Sequence, residues 1–141
     1  MVAEESSLKA VGWARSLPVG CSLGEARDWA REHLDGLEWS HDAQDVVESV
    51  LLTVSELVTN AHLHARSDAQ LILLWDEQCL HVTVHDTSPE LPAPRQPELD
   101  ASGGRGLHIV DTVSDNWQTH RCARGKDVTA CFQPPLPSNA A

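Results

Sequence analysis

Between Val46 and Ala61 the apolar residues Val46, Val47, Val50, Leu51, Val54, Leu57, Val58 and Ala61 return at intervals of three and four. A run of that period and length predicts a helix with one face buried in a core. On a helix of about 3.6 residues per turn, Ser49, Thr53, Glu56, Asn60 and His64 share an arc of roughly 80°. The stretch SELVTNAHLHA, Ser55 to Ala65, therefore sets Glu56 and Asn60 one turn apart on one polar stripe of a core helix. A carboxylate and a carboxamide so placed can divide phosphoryl chemistry: the first orients or deprotonates an attacking oxygen, and the second offers a hard oxygen to magnesium. Taken alone, the spacing also describes the solvated side of an amphipathic helix.

Two runs of strand character follow, Gln70 to Trp75 and Cys79 to His85, joined by the polar turn Asp76, Glu77, Gln78, and they predict an antiparallel hairpin. In the second run Leu80, Val82 and Val84 alternate with His81, Thr83 and His85, so one face is buried and the other more polar. Asp86 ends that strand. An aspartate there can accept a hydrogen bond from an exocyclic amine such as that of adenine, and it is equally an ordinary turn residue. Pro89, Pro92, Pro94 and Pro97 then forbid a regular helix or central strand and leave a loop long enough to be a lid. The loop runs into Gly103, Gly104, Arg105 and Gly106, ahead of the short apolar segment from Leu107 to Val113. Glycines admit a ligand close to the backbone, and the free amides at a helix start attract phosphate. The same four residues also read as a flexible hinge.

In order and separation these pieces resemble the Bergerat-type ATP-binding fold of histidine kinases and gyrase-type ATPases. The motifs ELVTNA, followed by His64 and Ala65, and GGRGLHIV are similar to those of the small bacterial anti-sigma-factor serine/threonine kinases and their stand-alone relatives. The likeness runs from about Pro18 to Phe132. It implies ATP and Mg2+ as cofactors, with Glu56 as catalytic base, Asn60 as the magnesium ligand and Asp86 as the adenine acceptor. It also implies that Gly103, Gly104, Arg105, Gly106 and Leu107 surround the phosphates. His64, near the helix end, is either a packing or capping residue or a further phosphate contact. The sequence departs from the superfamily pattern in two places. Asp86 is followed by Thr87, Ser88 and Pro89 rather than glycines, and the later box reads Gly125, Lys126, Asp127, Val128, with a carboxylate that repels Asp86 unless it points away.

The expected fold is a two-layer α/β (α+β) sandwich with a mixed, mostly antiparallel sheet covered on one face by helices. Its further elements are an edge strand from Lys9 to Leu17, a helix opened by the capping pattern of Ser22 and Glu25 and closed near Gly36, and strands at Asn116 to Arg121 and Val128 to Phe132. Ala26, Trp29, Ala30, Leu34 and Leu37 give that first helix its apolar side, with Trp29 read as core packing. At 141 residues the chain predicts one domain over residues 1–133, histidine-kinase-like by the resemblance, and a flexible tail over 134–141.

A formal charge of −11 argues against direct nucleic-acid binding, and no run is long enough to span a bilayer. With no secretory signal at the start, a cytoplasmic location is expected. The four cysteines lack zinc-type spacing, His62 and His64 do not face one another, and His81 and His85 have no carboxylate or cysteine at a diagnostic interval, so no zinc site is expected. The resemblance points to a serine/threonine protein kinase that phosphorylates an antagonist protein, binds a sigma factor and pairs with itself. The alternative is a switch that sequesters its partner, with or without nucleotide, and phosphorylates nothing.

Overall fold

A computed structural model of the chain describes residues 10–88 and 105–135. The proline-bearing segment expected to form a lid, with Gly103 and Gly104, lies outside them, as does most of the expected tail. The order of elements is β1 (Val11–Leu17), α1 (Leu23–Asp35), α2 (Gln44–Thr59), β2 (Ala69–Trp75), β3 (Leu80–Asp86), α3 (Arg105–Val113), β4 (Asn116–Cys122) and β5 (Gly125–Phe132).

The five strands lie in the order β1-β2-β3-β5-β4, and all four pairings are antiparallel. The parallel component of the expected mixed sheet is therefore absent among these strands. Two hairpins, β2–β3 and β4–β5, set four of the five directions. β4 takes the sheet edge and β5 inserts antiparallel between β3 and β4, while α3, between β3 and β4 in the chain, packs on α2. β5 begins three residues before the expected Val128, because Gly125, Lys126 and Asp127 pair with β3 and β4.

The pleat sorts the side chains. Leu80, Val82, Val84 and Asp86 of β3 face inward opposite Phe132, Ala130, Val128 and Lys126 of β5, and all eight are buried. The helices cover that face. α2 contributes Val47, Val50, Leu51, Val54, Leu57 and Val58 to the core, α1 contributes Ala26, Ala30 and Leu34, and α3 contributes Leu107 and Val110. Burying side chains of this size stabilises by about 1.5–3 kcal/mol each before chain entropy is set against it.

The capping signal is realised: Ser22 is the N-cap of α1, and its hydroxyl accepts the Glu25 amide at 3.0 Å. Gly36 caps the other end in a right-handed conformation, with its amide on the His33 carbonyl. Trp29 is partly buried against the core and meets His33 edge-on, while Trp13 of β1 stacks on the same imidazole. A 3-10 turn at Glu38–Asp42, which the sequence pattern does not announce, buries Trp39 against Trp75. Among the described residues no helix is long and apolar enough to cross a membrane.

Candidate functional site

α2 does not run on to His64 as a regular helix. It ends at Thr59, and Asn60–His64 form a π-turn in which the Ala65 amide reaches back five residues to the Asn60 carbonyl at 3.1 Å. A π-turn winds more residues into each circuit than an α-helix does, so the angular step that aligned His64 with Glu56 stops at Asn60. His64 is exposed. His62 instead turns its Nε2 to the Leu17 carbonyl at 2.9 Å, tying the end of β1 to the turn. The polar stripe is also narrower than its spacing suggests. Thr53 is fully buried, and its hydroxyl, like that of buried Ser55, has no hydrogen-bond partner among the described residues.

What remains is a compact pair, Glu56 in the last turn of α2 and Asn60 where the π-turn opens, both partly exposed. Among the described residues neither the Glu56 carboxylate nor the Asn60 side-chain amide has a hydrogen-bond partner, which leaves both available to a ligand. Partial burial pushes the Glu56 carboxyl above its ordinary value. That direction suits a general base, which works best with an affinity for protons nearer neutrality.

The raised value has a consequence for stability. Because folding raises this carboxyl's affinity for a proton, its contribution is most favourable below the unfolded-state pKa and is lost as the pH rises through the folded-state value. The Glu56→Gln variant should therefore melt above the parent at neutral pH, with the gap closing below about pH 4. Thermal melts across that range check it, and a gap that stays constant with pH would contradict the direction of the shift.

The strand end that carries Asp86 is fastened to the loop that follows the π-turn. Buried Ser67 accepts both the Thr87 amide, at 2.9 Å, and the Thr87 hydroxyl, at 3.0 Å, and its own hydroxyl donates to the Asp68 carbonyl. Asp68 in turn accepts the Val19 amide at 2.8 Å. Asp86 itself is 1 % exposed and is held by Lys126, which is 3 % exposed. Lys126 Nζ lies 2.9 Å from each carboxylate oxygen, and the Ser88 amide donates to Oδ1 at 2.8 Å. Asp127, one residue on, points to the opposite face of the sheet and pairs with His85 Nδ1 at 2.7 Å. The feared repulsion is thus replaced by an attraction from its neighbour.

α3 begins at Arg105, two residues before the expected Leu107, with Gly106 in its first turn, and a helix start is what a phosphate cradle requires. Buried Leu107 anchors that helix in the core beside α2. The described residues fit ATP and magnesium in three respects: a raised carboxyl, a free amide oxygen one turn away, and a helix N-terminus on an element packed against α2. Magnesium commonly takes only one or two protein ligands beside phosphate and water, so a single amide oxygen suffices. Linear reasoning missed Ser67 and Lys126. The alternation of Lys126 with Val128, Ala130 and Phe132 was the available signal that Lys126 faces inward.

A family model described as a histidine kinase-like ATPase domain matches residues 20–132, a span that contains Glu56, Asn60, Asp86, Arg105 and Lys126. No curated protein matches the chain at a significant level.

Proposed function

The chain belongs to the histidine kinase-like ATPase domain family, whose members are built to bind ATP, and from that premise we propose that it is a serine/threonine protein kinase of the anti-sigma-factor type. The observation that carries this reading is the unpartnered pair of Glu56, with its raised carboxyl, and Asn60 at the mouth of the π-turn. Bound ATP and magnesium would supply the γ-phosphoryl group and the charge neutralisation that phosphoryl transfer needs. Glu56 takes the proton from the acceptor hydroxyl of an antagonist protein. Asn60 would hold the metal through its amide oxygen. Gly104, Arg105 and Gly106 would surround the phosphates, and Asp86 would accept from the adenine amine through whatever carboxylate capacity Lys126 leaves free. A sigma factor and its antagonist are the partners this reading implies, with a second copy of the chain as a third.

One observation favours a second reading. Lys126 already neutralises Asp86 inside the core, so adenine recognition competes with an existing pair, and a switch that binds its partner without phosphorylating anything is served by the same fold. Incubation with labelled ATP, magnesium and candidate antagonist proteins separates the two. Transfer to a serine or threonine is expected, lowered about 100-fold or more in Glu56→Ala and lost with metal binding in Asn60→Ala. Tight ATP binding without transfer would select the switch, and no nucleotide binding at millimolar concentration would sink both nucleotide-dependent versions.

A further inference from the structure

The face of the sheet that the helices leave open carries cross-strand rows that no linear spacing announces. One row runs Ser16, Gln70, His85, Asp127, His120, each residue directly opposite the next. Cys122, at the end of β4, joins it. One ring nitrogen of His85, the Cys122 sulfur and a carboxylate oxygen of Asp127 all lie within 4.8 Å of one another, and all three residues are partly exposed. We propose that His85, Cys122 and Asp127 form a binding site for zinc or a similar divalent transition-metal ion.

The chemistry of the three groups fits that ion. Imidazole nitrogen, thiolate sulfur and carboxylate oxygen are the ordinary zinc donors, at about 2.0–2.3 Å from the metal, and soft sulfur disfavours magnesium or calcium. Tetrahedral donors at those lengths sit about 3.3–3.8 Å apart. The His85–Asp127 contact of 2.7 Å would open by less than an ångström, and the other separations, all within 4.8 Å, would close by about 1.5 Å at most. The groups come from β3, β4 and β5, so the hydrogen-bonded sheet holds them in place. His120, exposed and opposite Asp127 in register, stands on the same face to supply a fourth donor, or water takes that position. On binding, the metal replaces the thiol proton, which leaves to solvent, and His85, whose Nδ1–H donates to Asp127, gives up that hydrogen bond so that the ring presents its unprotonated nitrogen to the ion while the other keeps the proton.

The same trio in a catalytic role, as cysteine, base and orienter, does not fit. Burial and the Asp127 carboxylate both push the Cys122 thiol up rather than down, whereas a nucleophilic cysteine needs a stabilised thiolate. A second group, Asp76, Cys79 and His81, also converges. It already has a structural role: Asp76 caps the β2–β3 turn by accepting the Gln78 and Cys79 amides at 2.9 and 2.7 Å, and His81 is shared between Asp76 and Cys131. It therefore serves as the internal control.

The test is titration of the full chain with Co2+ under reducing conditions, followed by competition with Zn2+. One equivalent of cobalt should give a thiolate-to-metal charge-transfer band together with the visible absorption of a four-coordinate ion, and zinc should remove both. Cys122→Ser should abolish the charge-transfer band, and His85→Gln should weaken zinc binding at least about tenfold, while Cys79→Ser leaves both unchanged. Zinc should also slow alkylation of Cys122 but not of Cys79 in the parent chain, a readout that needs no variant to fold. No charge-transfer band, a band lost with Cys79 rather than Cys122, or alkylation of Cys122 indifferent to zinc would each overturn the assignment. None of these measurements involves nucleotide, so their outcome stands apart from the kinase reading.

Discussion

Replacing Lys126 with methionine should destabilise the protein by about 3–5 kcal/mol, the loss typical when one partner of a buried ion pair is removed and the other charge is stranded. For a chain of this size that corresponds to a fall in Tm of about 10–15 °C. Folded domains are stable by only about 5–15 kcal/mol, so the loss is a large part of the total. The cause lies in where the pair sits. Asp86 and Lys126 are directly opposite in the β3–β5 register, and they continue inward the rows formed by Leu80, Val82 and Val84 against Phe132, Ala130 and Val128. Both are almost wholly buried. With methionine in place, the Asp86 carboxylate keeps, of its donors among the described residues, the Ser88 amide alone. The double variant Asp86→Leu, Lys126→Met removes both charges and should recover most of the loss, because two apolar side chains of similar volume extend the existing apolar rows. If the single and double variants are equally unstable, the loss comes from packing and not from a stranded charge. The double variant also bears on function: if Asp86 selects adenine, it should fold and yet lose ATP affinity.

Why this pair escaped a linear reading, when Glu56 and Asn60 did not, follows from the kind of order involved. Glu56 and Asn60 are neighbours through helix periodicity, which is written in the spacing of α2 itself. The capping role of Ser22 and the β2–β3 hairpin are likewise local, and each was legible, as was α3 itself, although it starts at Arg105, two residues before the expected Leu107. Asp86 and Lys126 are forty residues apart and meet only through the β3–β5 register. His85 and Asp127 meet through the same register, and Ser67 meets Thr87 through the pairing of β2 with β3. Histidines judged on interval alone lacked metal-type partners, and the sheet supplies them across its strands.

A second class of features was hidden because it departs from the ideal period. The helical step places His64 beside Asn60, but the π-turn shifts it round to solvent. A polar residue on a helix stripe reads as solvated, yet Thr53 is enclosed where α2 is covered on more than one side. What the periodicity does report faithfully is the core: Val47, Val50, Leu51, Val54, Leu57, Val58 and Ala61 are buried, and Val46 is partly buried against them.

Substituting alanine for Gly125 should cost about 3–5 kcal/mol, for two reasons that add. Its φ of +130° lies where side chains are strained, a penalty of about 1–3 kcal/mol. A Cβ there would also fall 1.9 Å from the Asp86 carbonyl oxygen and 2.7 Å from the Thr87 Cα. Both obstacles are backbone, so no side chain can swing aside, and β5 must pull away from β3 where Asp86 and Lys126 meet. Overfilling a packed site adds about 1–3 kcal/mol or more. With a urea slope of about 1.5–2 kcal/mol per molar for a chain of this length, the unfolding midpoint should fall by about 2 M at nearly constant slope. Gly20→Ala provides the comparison, because Gly20 also has a positive φ, +96°, but nothing lies within 4 Å of the added Cβ. That variant should show only the strain, about 1 kcal/mol. The difference between the two measures how closely the β5 start is pressed against the end of β3, and a difference near zero would mean that the strands part there without penalty. Since the same contact seats Lys126 beside Asp86, Gly125→Ala should also loosen that pair, and hydrogen exchange at the Ser88 amide should speed up in it but not in Gly20→Ala.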